Sequence, residues 1–280
     1  MDRLPGNLVS TDWLMEHLGR KGLAIADVRW FPDRPARSDY EEGHIPGAVF
    51  VDVDADLAAP AWSGPGRHPL PSEDDFSGAM GRLGIGDDDA VVAYDDAGGS
   101  NAARLWWMLT VTGHEAAVLD GGLDVWTGPL QTGVVQLAPS RFSSRAWPRE
   151  LIADAAEVER SLERGGVVLD ARAAERYRAE VELIDKVAGH IPGAKSAPWD
   201  ANLGDDERFL EPDDLRSRYE ALGVNEVDDT IAYCGSGVTT CHDLLAIELS
   251  GLGRKRLYEG SWSDWSSDPS RPVATGDEPA

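Results

Sequence analysis

The chain has 280 residues, 42% of them apolar, and 50 acidic against 26 basic side chains leave a formal net charge of −24. That length accommodates two domains with a core each. The acidic balance excludes a nucleic-acid partner, which needs a basic face toward phosphate, and disfavours an anionic membrane surface. The opening "MDRLPGNLVSTDW" lacks the basic-then-apolar pattern of a secretory signal, and no run is long and apolar enough to span a bilayer. The two cysteines, Cys234 and Cys241, are too few for a disulfide framework and have no metal-ligand spacing, so a cytoplasmic protein is expected.

Along the chain, "GLAIADV" (22–28) reads as a buried strand, and "EGHIPGAV" (42–49) contains a Pro-Gly turn. "DDAVVAYD" (88–95) is a second short β-rich run, followed by a helical stretch and then by "LDGGLDVW" (119–126). Near residues 139–152 "APSRFSSRAWPREL" breaks the pattern. "ADAAEVERSLERG" (153–165) then has helical spacing and a closing glycine. "GVVLDA" (166–171) reads as a strand, "AGHIPGAK" (188–195) repeats the earlier turn, and "DDTIAYC" (228–234) is a strand ending at Cys234.

The second half repeats the first. "IADVR" recurs as "VLDAR", "EGHIPGAV" as "AGHIPGAK", "RLGI" as "ALGV", "VVAYD" as "TIAYC" and "LDGGLDVW" as "YEGSWSDW". Two copies of one α/β domain are therefore expected, over 1–138 and 153–280, with 139–152 as linker. Strands alternating with helices imply a mainly parallel sheet with helices on both faces in each copy. Ligands of such sheets collect beyond the carboxyl ends of the strands, and Asp95 and Cys234 hold that place in the two copies.

Cys234 is followed by Gly235, Ser236, Gly237, Val238, Thr239 and Thr240, with a helix expected to begin near Val238. It is either a small apolar residue that closes a strand, or the loop exists to hold its sulfur. Glycines let successive N–H groups turn toward one anion, and a helix N-terminus adds partial positive charge. That setting favours the nucleophilic thiolate. Cys241, inside the helix, reads as an inert core thiol.

With these motifs the chain resembles the tandem-domain rhodanese-type sulfurtransferases over roughly residues 8 to 275. "CGSGVT" is similar to the active-site loop of those that use 3-mercaptopyruvate, while thiosulfate-preferring relatives usually place two basic residues after the cysteine. "GHIPGA", "DGG" and "EGSWSDW" belong to the same resemblance. It implies two rhodanese-like domains, the first non-catalytic because Asp95 stands at the cysteine position. It also implies sulfur transfer through a Cys234 persulfide, without metal or organic cofactor. The implied partners are a small-molecule sulfur donor and a thiol or cyanide acceptor, reduced thioredoxin-like proteins among them.

The resemblance further implies that Gly235, Gly237, Val238 and Thr239 cradle the anionic sulfur and that Arg176 holds the donor's anionic group. The second arginine that mercaptopyruvate enzymes keep before "GHIPG" is missing from "EVELIDKVAGHIPG", which leaves Lys186 as the substitute cation. By the same analogy His44 and Ser236 form a proton relay, with Asp33 as a third member, while His190 braces its turn. Asp170 is expected to support the site from behind, and Trp106, Trp107, Trp262 and Trp265 to lie in the core. Three other readings remain at this point: a thiosulfate donor, a rhodanese-like dual-specificity phosphatase, and a non-catalytic sulfur relay. The phosphatase reading lacks an arginine closing the loop, which instead runs into Thr239 and Thr240.

Overall fold

A computed structural model describes residues 3–277. The chain divides into two compact units. The first comprises the chain up to Ala59, Pro71–Trp147 and Asp205–Arg208; the second comprises Pro60–Leu70, Pro148–Gly204 and the chain from Phe209 onward. The expected outer limits at 1 and 280 lie outside the described residues. The expected linker, 139–152, carries contacts of its own. Trp147 donates from its indole to the carbonyl of Pro71 at 2.9 Å in the first unit, and Ile152–Ala153 is a strand of the second.

The first unit contains β1 (Leu8–Val9), β2 (Leu23–Asp27), β3 (Val49–Phe50), β4 (Ala90–Tyr94) and β5 (Ala116–Leu119). They form a parallel sheet in the order β1-β5-β4-β2-β3. The second contains β6 (Ile152–Ala153), β7 (Val167–Asp170), β8 (Lys195–Ser196), β9 (Thr230–Tyr233) and β10 (Arg256–Tyr258). Its order, β6-β10-β9-β7-β8, is again parallel throughout. The central strands β4 and β9 are buried along their whole length, which explains their unbroken apolar sequences. The helix Ala155–Glu163 begins with a capping box between Asp154 and Glu157, worth about 1 kcal/mol, and stops before Gly165 at φ +78°.

Each core is aliphatic with aromatic closure. Val9, Ile25, Val92, Leu119 and Trp126 pack together in the first unit, and Val158, Val168, Ile231, Trp262 and Trp265 in the second. Trp106 and Trp107 are also buried.

The repeat extends to the polar interior. Arg29 clasps Asp27 and donates to the carbonyl of Gly43, just as Arg172 clasps Asp170 and donates to the carbonyl of Gly189. His44 stacks on Tyr40 and donates from Nδ1 to its carbonyl at 2.8 Å; His190 does the same with Tyr177 at 2.8 Å. Both "GHIPGA" histidines therefore brace their turns. The buried charges of the two Arg–Asp pairs are stable because they are paired and hydrogen-bonded.

Candidate active site

Strand β9 carries Cys234 to the carboxyl end of the second sheet, where the thiol is 3% exposed and its Sγ accepts the Gly237 N–H at 3.2 Å. The turn at 259–263 fixes the loop from the side. Ser261 Oγ accepts the Cys234 N–H at 3.1 Å, while the Cys234 and Gly235 carbonyls accept the N–H groups of Trp262 and Ser263. Gly237 has φ +83°, and a Cβ there would stand 2.5 Å from the Glu259 carbonyl oxygen, so only glycine fits. The helix starts later than expected, at Thr240–Leu249 with Thr239 as N-cap. Val238 and Thr239 remain in the loop, and a tight turn (Cys241 N–H to Val238 carbonyl, 3.1 Å) opens the helix. Cys241 is fully buried in that helix.

The first unit shows what this type of loop binds. Asp95 follows β4, and its carboxylate accepts four backbone N–H groups: Ala97 at 3.0 Å, Gly99 at 2.8 Å, Asn101 at 2.7 Å and Ala102 at 2.8 Å. Burial pushes this carboxyl up, and the four amides oppose the shift. The nest is filled by the chain's own carboxyl group, and the position has no sulfur.

Two guanidinium groups flank the Cys234 loop. A Cβ on Gly235 would stand 3.1 Å from Nη2 of Arg67 and 3.5 Å from Nη1 of Arg176. Arg176 is held by Glu182 at 2.8 Å and by Asp185 at 3.3 Å, and Arg67 is paired with Asp185. Burial works against ionised Glu182, but the amides of Asp185 and Ile184 and the Arg176 guanidinium hold its carboxyl below the ordinary range. Asp170 enters through Arg172, which also reaches Glu182 at 3.5 Å, so it supports Arg176 through two intermediates. Lys186 is exposed, and the second cation at the loop is Arg67 instead.

The proton relay also differs from expectation. Ser236 Oγ lies 2.7 Å from Nδ1 of His68, and both residues are nearly buried. His44 is not its partner: that ring is wholly buried in the first unit against Tyr40. Asp33 is exposed in the first unit. Arg67 and His68 belong to Pro60–Leu70, which is tied to the 259–263 turn by Arg67 N–H to Ser263 Oγ at 3.1 Å and Leu70 N–H to Glu259 Oε2 at 2.9 Å. The available signal was "GRHPLP" (66–71), an arginine and a histidine between turn residues, where the matching stretch "ERFLEP" (207–212) keeps the arginine but has no histidine. The assembled groups comprise a thiol at the end of a strand, a hydroxyl–imidazole pair that can move a proton, and two cations that can hold an anion. Among the described residues no cluster of three metal-ligating side chains occurs, and no helix is long and apolar enough to cross a membrane.

The family description "Rhodanese-like domain" matches residues 10–129 and again 154–268. A probable 3-mercaptopyruvate sulfurtransferase from Pseudomonas aeruginosa is 45% identical, over 96% of this chain and 98% of that protein. A putative thiosulfate sulfurtransferase, SseB, from Mycobacterium tuberculosis is 39% identical over 91% of each chain. The crystal structure of SseA from Escherichia coli, described as a 3-mercaptopyruvate sulfotransferase, superposes with a TM-score of 0.81 at 34% identity, over 92% of this chain and 99% of that one.

Proposed function

Because the chain belongs to the rhodanese family, as a two-domain sulfurtransferase, we propose that it moves a sulfane sulfur from 3-mercaptopyruvate to a thiophilic acceptor through a persulfide on Cys234. The observation that carries this reading is the Cys234 sulfur itself, accepting the Gly237 N–H beside a loop flanked by Arg67 and Arg176. The arginines hold the donor's carboxylate, and the Cys234 thiolate attacks the donor's sulfur. The new S–S bond forms as the C–S bond breaks, with its electron pair leaving on the enolate of pyruvate. The proton lost from the donor's sulfhydryl passes by way of Ser236 and His68 to the enolate carbon, which becomes the methyl group of pyruvate. Cyanide or a thiolate then attacks the outer sulfur, the S–S bond to Cys234 breaks, and the Cys234 thiolate returns.

Asp95 leaves the first domain without a nucleophile at the matching position, so that domain is non-catalytic in this scheme. Gly235, Gly237, Val238 and Thr239 form the seat of the sulfur, and Asp170 acts through Arg172 and Glu182. A reduced thioredoxin-like protein would serve as acceptor, and two cysteines that form no disulfide suit a cytoplasmic setting.

A second reading has its own support. Two arginines at the loop, rather than the one expected, suit the dianion thiosulfate, and one relative is named for thiosulfate. The two donors are separated by measuring kcat/KM for each with cyanide as common acceptor. The mercaptopyruvate value is expected to be larger, because Ser236 and His68 can protonate an enolate, a step that thiosulfate does not need. A larger value for thiosulfate would reverse the assignment.

A further inference from the structure

The carboxylate of Asp185 lies between two guanidinium groups, one oxygen paired with Nη1 of Arg67 and the other 3.3 Å from Nη2 of Arg176. Both guanidinium groups stand against Gly235, the residue next to Cys234. A carboxylate that bridges two arginines beside the reactive sulfur has the geometry a carboxylate donor needs. We propose that Asp185 is an internal occupant of the donor's anion seat, competing with the carboxylate of a small α-keto acid for Arg67 and Arg176. The proposal rests on Cys234 being the sulfur-accepting thiol.

Charge balance supports displacement over addition. Three guanidinium groups, Arg67, Arg172 and Arg176, face three carboxylates, Asp170, Glu182 and Asp185. A donor bound alongside Asp185 would leave one uncompensated negative charge in a mostly buried cluster, which is costly. A donor that takes Asp185's place while that side chain turns to water keeps the cluster neutral.

The two carboxylates on Arg176 differ in how firmly they are fixed. Glu182 meets Arg176 at 2.8 and 3.0 Å, touches Arg172, and accepts the amides of Ile184 and Asp185 at 3.0 Å each. It therefore sets the orientation of Arg176. Asp185 makes the longer contact with Arg176; its own side chain is 6% exposed against 4% for Glu182, but its neighbours Leu183 and Ile184 are 89% and 52% exposed, so no apolar anchor fixes the segment there. Burial also pushes the Asp185 carboxyl up against the pull of Arg67, so its ionised form is poorly rewarded where it is. Gly235 completes the arrangement, because a side chain there would press against the Arg67 guanidinium.

The test needs a readout of anion affinity beside Cys234 that does not depend on turnover. Alkylation of Cys234 by iodoacetate, an anion, relative to iodoacetamide, its neutral analogue, supplies one, read by fragment masses on the full chain. Asp185→Asn should raise the iodoacetate-to-iodoacetamide rate ratio about threefold or more, the range of a partly exposed ion pair. Arg67→Met should lower it by a similar factor, with Arg67→Lys between. With mercaptopyruvate as donor, Asp185→Asn should lower KM and Arg67→Met should raise it. An unchanged or reduced ratio in Asp185→Asn, or a raised KM, would overturn the proposal and make Asp185 a brace for the arginines. If the wild-type chain did not turn over mercaptopyruvate, the donor reading would fail while the alkylation ratios still decided who occupies the seat.

Discussion

The Nδ1 atom of His68 lies 2.7 Å from the hydroxyl oxygen of Ser236, two residues beyond Cys234. If the pair moves the proton to the enolate, Ser236→Ala and His68→Gln should each lower kcat with mercaptopyruvate by about 100-fold, at the lower end of general acid–base effects. The double variant should be little worse than either single one, since the two act as a unit. Thiosulfate turnover should fall much less. His44→Gln should keep kcat but lower the unfolding free energy by about 1–3 kcal/mol, because it removes a buried hydrogen bond to Tyr40. A loss of kcat in His44→Gln larger than that in His68→Gln would restore the relay expected from the sequence.

The environments of the two cysteines separate their roles. Cys234 accepts an N–H in a glycine loop, while Cys241 is fully buried on the helix, its Sγ 3.6 Å from the Gly237 carbonyl oxygen. Cys234→Ser should abolish sulfur transfer, and Cys241→Ser should retain most of it. Mass spectrometry of donor-treated protein should find one added sulfur, on Cys234. Its appearance on Cys241 would refute the assignment.

Asp95 satisfies four backbone donors at once in the first domain. Replacing it with alanine leaves those amides buried without their acceptor, so Asp95→Ala should destabilise the protein by about 3 kcal/mol or more. The effect should appear in urea unfolding, while the activity of folded molecules changes little. A large loss of kcat with unaltered stability would give the first domain a catalytic part that the scheme above denies it.

Stability should also respond to pH through Asp243, on the helix that follows the cysteine loop. Burial, opposed by Arg218, by the hydrogen bond from the Asn202 amide and by the nearby Tyr219 hydroxyl, pushes its carboxyl up to about 7, and Oδ2 has no hydrogen-bond partner. An unfolded-chain aspartate titrates near 3.9, so the folded state binds this proton more tightly. The group's contribution is therefore most favourable below about pH 4 and falls by ~1.4 kcal/mol per unit as pH rises toward 7. Asp243→Asn should remove that slope. Urea unfolding of both proteins between pH 5 and 8 checks it, and parallel stability curves would show that Asp243 is not the titrating group.

The sequence alone determined the two-copy α/β architecture, the place of Cys234 at the end of a buried strand, its glycine loop, and Asp95 as the counterpart. These are local properties: apolar periodicity sets strand and helix, and only glycine allows the backbone angle at Gly237. Which side chains stand beside that loop was decided by tertiary packing. Arg67 and His68 are more than 160 residues from Cys234 along the chain, in a segment without apolar periodicity. They reach the loop because Pro60–Leu70 pairs with the turn at 259–263. His44 carried a repeated motif and so looked functional, yet the repeat encodes a turn brace needed equally in both domains. A pattern along one chain records what each segment requires of its own backbone. The meeting of a guanidinium, an imidazole and a thiol depends on long-range packing, which leaves no periodic trace in the sequence.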